Sequence, residues 1–216
     1  MPARRRPRLH IVVSAGPTRE HLDAVRFLSS PSSGRMGFAV AAAALRAGHR
    51  VTLVTGPVQI PSPPGVRTVR VTTAREMRRE VLAAFREADA LVMTAAVSDY
   101  RPLRRRRGKW KKGAARVSLA LVRNPDILAE AGSRKRRRIC IGFAVEVQEA
   151  LKSATEKLRR KNLDALCLCS PEAFGAISAD YRILFPDREM ERFRGVTKAQ
   201  LARRLVGHMV GIAAGR

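Results

Sequence analysis

Ser14–Gly37, SAGPTREHLDAVRFLSSPSSGRMG, is the stretch whose residue types and spacing could hold an anion. It lies between an apolar run, Leu9–Val13, and an Ala-rich helical pattern, Phe38–Ala47. A strand, a loop of small residues and a helix, in that order, is how α/β folds bind anions. Glycines let the backbone approach, and the helix N-terminus offers unpaired N–H groups and a positive partial charge. The loop has neither the dinucleotide spacing G-x-G-x-x-G nor the P-loop spacing G-x-x-x-x-G-K-[ST]. Ser33, Gly34 and Gly37 sit where the helix would begin; a helix cap by Ser32 or Ser33 accounts for the same residues, and both can hold at once. Downstream, Lys157 and Lys161 lie four apart and share a helix face. They repel unless an anion sits between them, although Arg159 and Arg160 leave an ordinary basic face open as the alternative. Asp99 follows the apolar run Ala90–Ala95, at the carboxyl end where open α/β sheets bind ligands. Asn124 is an N-cap candidate for a helix opened by Pro125–Leu128. Lys109, with Lys111 and Lys112, is either a charge aimed at an anion or a solvated lysine in a basic run.

These residues need elements to hold them. Strand signals fall at Leu9–Ser14, Val51–Thr55, Val66–Val71, Ala90–Ala95, Ile139–Phe143 and Leu163–Cys169. Helical patterns lie between them at Met36–Ala47, Ala74–Ala88, Asp126–Ala131 and Glu146–Lys161. Strand then helix, repeated, predicts an α/β fold: a Rossmann-like, doubly wound, mainly parallel sheet with helices on both faces. The apolar runs are continuous, as in strands covered on both faces. Tyr181–Phe185 reads as a late strand and Lys198–Ile212 as a closing helix. Residues 100–118 break the alternation and read as a basic flap, returning as a hairpin-like strand over Arg116–Leu121. The predicted organisation is a basic lead, 1–8, and a single domain, 9–213.

The chain carries 43 Lys and Arg against 18 Asp and Glu, a formal charge of +25. Such a balance suggests polyanionic partners, with clusters at Arg104–Lys112 and Arg134–Arg138. Arginine is also spread over whole helix faces, and no helix-turn-helix, zinc-finger or RNA-binding signature is present. A dedicated nucleic-acid function is therefore not expected, whereas non-specific binding at low salt is. No apolar run approaches the ~20 residues that span a bilayer, and no apolar segment follows the basic N-terminus. A membrane partner is not expected, and the expected location is cytoplasmic. Cys140, Cys167 and Cys169 lie in apolar runs and read as buried, reduced thiols. No metal-ligand set is found.

The motifs share an order. Thr18-Arg19-Glu20, Asp23, Val25-Arg26-Phe27 and Ser32-Ser33-Gly34-Arg35-Met36-Gly37 come first. Thr94–Tyr100, Lys109-Trp110-Lys111-Lys112, Asn124–Leu128, Gly142-Phe143-Ala144 and Lys157…Lys161-Asn162 follow. Together they resemble phosphopantothenoylcysteine synthetase of coenzyme A biosynthesis, over roughly Leu9 to Val210. The resemblance implies a ligase that joins 4'-phosphopantothenate to L-cysteine through an acyl-nucleotide. It implies Mg²⁺ as cofactor and a homodimer, with Tyr181–Phe185 and Val117–Leu121 as candidate surfaces. It makes Lys109 the flap lysine that neutralises the phosphates, and Ala95 and Ser30 the other catalytic positions. Met93, Thr94, Ala95, Asp99, Lys109, Pro125, Asp126, Ile127, Leu128, Phe143, Lys157 and Lys161 would meet the nucleotide. That combination is similar to the bacterial CTP-using branch, so CTP is expected over ATP. Arg26, Ser33, Gly34, Arg35 and Gly37 would hold the substrate phosphate. The decarboxylase fused ahead of many such synthetases has no counterpart in this sequence, which implies a monofunctional enzyme. Two positions depart from the family pattern: Ser30 and Ser170 stand where Asn is usual. The Arg104–Arg107 run also departs in composition and reads as mostly solvated.

Overall fold

The computed structural model describes residues 8–113, 115–146 and 150–216. The lead at 1–7 and the first residues of the helix expected from Glu146 lie outside them. The first half of the chain supplies β1 (His10–Ala15), a small hairpin β2 (Arg19–His21) and β3 (Phe27–Ser29), α1 (Arg35–Arg46), β4 (Arg50–Thr55) and β5 (Arg67–Arg70). Next come α2 (Ala74–Phe85), β6 (Ala90–Met93), β7 (Tyr100–Pro102) and β8 (Leu121–Arg123). The second half supplies α3 (Ile127–Ser133), β9 (Ile139–Val145), α4 (Ala150–Arg160), β10 (Ala165–Cys169), β11 (Ser178–Leu184), β12 (Glu191–Thr197) and α5 (Lys198–Ala214).

Eight strands form one sheet in the order β12-β11-β10-β9-β6-β1-β4-β5. Pairing is parallel from β10 to β5 and antiparallel at β10·β11 and β11·β12. Alternate residues of β1 face opposite layers. Ile11, Val13 and Ala15 pack with Phe38, Val40, Ala41 and the α5 residues Leu201, Leu205 and Met209. Val12 packs with Met77, Val81 and Phe85 of α2, and with Leu128 and Leu158 of α3 and α4. Helices therefore cover both faces, as expected for a doubly wound sheet. The chain winds outward from β1 to β4 on one side and returns to β6 on the other, which opens a crevice beyond the carboxyl ends of β1 and β6. No helix among the described residues is long and apolar enough to cross a membrane.

Several expectations are corrected. The flap does return as a strand, but at Leu121–Arg123, paired with Tyr100–Pro102, rather than at Arg116–Leu121. The late strand β11 is not an edge, because β12 lies outside it; the Tyr181–Phe185 edge cannot be the open surface expected for self-association. The Arg134–Arg138 cluster is structural. Arg134 pairs with Glu130, the nearly buried Lys135 with Asp164 at 3.0 Å, and Arg138 bonds backbone carbonyls of Phe85 and Arg86. Cys140 and Cys167 are buried, but Cys169 is only partly so.

Candidate active site

The loop after β1 sets the first wall. Gly34 is the N-cap of α1 at φ 77°, a left-handed conformation that favours glycine. No serine side chain caps α1; the hydroxyls of Ser32 and Ser33 accept only long bonds from Gly34 and Arg35 N–H, at 3.4 and 3.5 Å. The first turn keeps donors available for an anion. Gly37 does a different job from the one expected. A Cβ there would lie 2.5 Å from Ala15 Cβ and 2.8 Å from the Ser14 carbonyl, so Gly37 lets α1 lie against β1 and does not line the cavity.

Two adjoining cavities at the carboxyl ends of the strands hold most of the expected residues. The larger, 670 Å³, is lined by residues that include Met93, Ala95, Asp99, Pro125–Leu128, Phe143, Lys157 and Lys161. The smaller, 120 Å³, is lined by Ser32–Met36, Thr94–Ala96, Phe143, Cys169, Phe174, Tyr181 and Lys198, among others. Ala95 and Phe143 line both. Phe143, on β9, is thus common to the walls of both.

The two lysines are not left to repel each other: Lys157 lies on α4 and Lys161 one residue past its end. Lys157 pairs with Glu146, and Lys161 with Asp126 at 2.8 Å. Asp126, and not Asn124, is the N-cap of α3: its Oδ1 accepts from Ala129 N–H at 3.0 Å. Burial pushes the Asp126 carboxyl up, but the Lys161 ammonium, the Ala129 N–H and Arg160 outweigh it and hold the carboxyl below its ordinary range. Asn124 instead ties two strand ends together, with its N–H donating to Asp99 C=O and its amide to Ser98 C=O. Each lysine can exchange its carboxylate for a phosphate oxygen, a stronger anion at close range.

Sequence reasoning missed residues of the smaller cavity. Lys198 donates to the carbonyls of Ala173 and Ala176. Burial, and then Arg35 nearby, lower its pKa. Tyr181 and Cys169 lie beside it, with burial raising them to about 12 and about 11. The two ring-bearing and cationic positions sit on a late strand and on the first turn of α5, where periodicity signals only core and cap.

Four expected residues stand apart from both cavities, Gly37 among them. Lys109 is exposed and lines neither. Ser30 lines neither; its carbonyl accepts from Ser32 N–H at 2.8 Å. Arg26 is turned to the flap, donating to the Trp110 carbonyl at 2.6 Å. The Arg104–Arg107 run is exposed along its length, as expected, and Arg106 in addition lies over the Trp110 ring at 3.9 Å.

This architecture is shared. Residues 7–212 match the DNA/pantothenate metabolism flavoprotein C-terminal domain. The chain belongs to that family. Within the DNA/pantothenate metabolism flavoprotein C-terminal domain family, it is 46% identical over 163 residues to the coenzyme A biosynthesis bifunctional protein CoaBC of Escherichia coli strain K12. That match covers 74% of this chain and 40% of the relative. The Bacillus subtilis strain 168 CoaBC is 41% identical over 177 residues, covering 81% of this chain and 44% of that protein. The chain thus spans less than half the length of these relatives. A crystal structure of the C-terminal domain of CoaBC superposes with a TM-score of 0.84 at 32% identity, covering 96% of each chain. A Cab2 variant in complex with phosphopantothenate-cysteine shares the fold, with a TM-score of 0.77 at 16% identity over 95% of this chain and 87% of that one.

Proposed function

We propose that this chain is a CTP-dependent ligase that joins 4'-phosphopantothenate to L-cysteine in coenzyme A biosynthesis. One observation carries the reading: a larger cavity rich in paired lysines and a smaller one at a helix N-terminus meet at Ala95 and Phe143. The larger suits a nucleotide, and the smaller suits an acid whose carboxylate must reach the nucleotide's α-phosphorus. Phosphopantothenate-cysteine is the ligand named for the structurally similar Cab2 variant.

In this reading the phosphopantothenate carboxylate attacks the α-phosphorus of CTP. The α–β bond breaks and pyrophosphate leaves. The cysteine amine then attacks the acyl carbon, the bond to CMP breaks, and the amine loses a proton as the amide forms. Lys157 and Lys161 bind phosphate oxygens after releasing Glu146 and Asp126. Phe143 and Met93 give the base an apolar wall, and Asp99 meets the base or ribose. Lys109 reaches in from the flap and neutralises charge that develops on the leaving phosphates. Arg35 and the free N–H groups of α1 hold the substrate phosphate.

Mg²⁺ would supply charge neutralisation at the triphosphate. Among the described residues no cluster of three or more His, Cys, Asp or Glu could hold a metal. Asp99 and Asp126 are the carboxylates in the larger cavity, and Lys161 holds Asp126. The donor set fits an ion that arrives on the triphosphate and is held chiefly by its phosphate oxygens. The reading includes a homodimer. Val145, Phe174 and Ile177 are exposed apolar residues near the smaller cavity, and Ile177 is 83% exposed.

The test is pyrophosphate release with CTP, Mg²⁺ and phosphopantothenate, with and without cysteine. Cysteine-dependent turnover supports the ligase. A single burst that cysteine cannot relieve leaves activation intact and places a defect at Ser30. No release with CTP or ATP sinks the reading. Lys109→Ala is expected to lower the rate of release by ~10²-fold or more, as losing one group that stabilises developing charge does.

A further inference from the structure

We propose that Trp110 is a positioning residue: clamped to the loop at Leu22–Arg26, it fixes the point from which Lys109 reaches the nucleotide cavity. The inference rests on the ligase reading for what Lys109 does, but the clamp itself is geometric.

Both backbone groups of Trp110 are taken by one loop. Its N–H donates to Asp23 Oδ2 at 2.9 Å, and its carbonyl accepts from Arg26 Nη2 at 2.6 Å. Asp23 is fully buried. Its other oxygen accepts from the N–H groups of Val25 and Arg26, both at 2.7 Å, so the carboxylate cannot turn away without losing them. Four residues earlier the Arg106 N–H donates to the Leu22 carbonyl at 2.9 Å, and the Arg106 guanidinium covers the Trp110 ring. The flap is thus pinned on either side of Arg107–Lys109.

The loop that grips it stands on the cavity wall. Thr18 N–H donates to Ala96 C=O at 3.2 Å, and its hydroxyl accepts from Ser98 N–H at 3.0 Å. Ala96 lines the smaller cavity and Ser98 the larger. Clamp and site therefore share one frame. Lys109 is bonded to the fixed residue, so its search is that of one side chain and not of a whole loop. That matters because a ~1 Å misplacement of a reacting group can cost ~10²-fold.

Trp110 is the only tryptophan in the chain, so intrinsic fluorescence reads it alone. In Asp23→Asn a side-chain amide presents donors where the network needs acceptors. Acrylamide quenching of Trp110 is expected to rise about twofold or more, with circular dichroism unchanged. Arg106→Ala, which leaves Asp23 in place, is expected to raise quenching too and serves if Asp23→Asn does not fold. Trp110→Ala is expected to lower kcat for pyrophosphate release about tenfold, with KM for CTP within about twofold. Both variants keep the backbone bonds, and Trp110→Phe, which alone of the two keeps a ring under Arg106, should restore most of it. Unchanged quenching in both clamp variants overturns the clamp. Full turnover in Trp110→Ala overturns the positioning role. Absence of turnover in the wild-type protein overturns the ligase reading and the positioning role with it, while the quenching comparison still decides the clamp.

Discussion

Ser30 offers one short hydroxyl donor where the resemblance leads one to expect an amide with two N–H donors and a longer reach. It lies outside the lining of both cavities, so the loop must move or a longer side chain must bridge the gap. Ser30→Asn is therefore expected to speed the cysteine-dependent release of CMP by about tenfold or more and to leave the first pyrophosphate burst unchanged. Rapid-quench measurement of both products checks this; equal rates in the two proteins would remove Ser30 from the mechanism. Asp23 makes a second residue-scale prediction. The backbone N–H groups of Arg26, Trp110 and Val25, aided by the Arg26 charge, hold its carboxyl at about 2, below the ordinary 3.8. A carboxyl depressed on folding contributes its full stability above the unfolded value, and loses it as pH falls through the folded one. Trp110 emission should thus stay flat from neutral pH to about 4 and shift as pH approaches about 2. The same scan in Asp23→Asn should lack that transition.

Among the elements, the contact of α1 with β1 has the least slack. Gly37→Ala would place a methyl 2.6 Å from Thr94 Oγ1 as well as against Ala15. The helix must lift, at a cost of about 1–3 kcal/mol for overpacking. In a chain of this size each kcal/mol lowers Tm by about 2–4 °C, so calorimetry should register a drop of at least that much. A weaker KM for phosphopantothenate should accompany it, because the same helix end forms the smaller cavity. The regular elements were legible in the sequence because buried parallel strands read as continuous apolar runs, as in Ile11–Val13 and Leu91–Met93. The hairpin of β2 and β3 was not, since three-residue strands carry no period. Strand β12 was missed because its exposed, arginine-bearing pattern reads as loop. Of the site, the strand-end and helix-entry residues were legible from their places after apolar runs. The Lys157–Glu146 and Lys161–Asp126 pairs were not, because charge spacing alone does not say which carboxylate a lysine meets.

At the scale of the whole molecule, the charge of +25 has a direction. A groove lined by Arg75, Arg78, Arg79, Arg101, Arg105 and Arg123 runs into the larger cavity, with Arg123, Asn124 and Pro125 common to both. Of these, Arg78 is committed to Glu130 and Arg79 to Glu80. Glu20 and Glu76 line the groove too, but arginines outnumber them; a predominantly cationic cleft raises the local concentration of an anionic substrate, and salt screens it over ~10 Å at 0.1 M. kcat/KM for CTP should fall several-fold between 0.05 and ~0.5 M salt, mostly through association, as stopped-flow mixing can show. Retention on duplex DNA should disappear over the same range without regard to sequence.

The order of strands also separates the chain by time. β5, β4, β1 and β6 all come from the first half, and β9 to β12 from the second. A ribosome extends a chain at about 5–20 residues per second, so the outer edge of β6, Ala90–Met93, stays unpaired for roughly several seconds until β9 emerges. That edge is wholly apolar, and its basic flap is the next segment to leave the exit tunnel. A cluster of like charges flanking an apolar edge discourages two such edges from zipping together before their partner strands arrive.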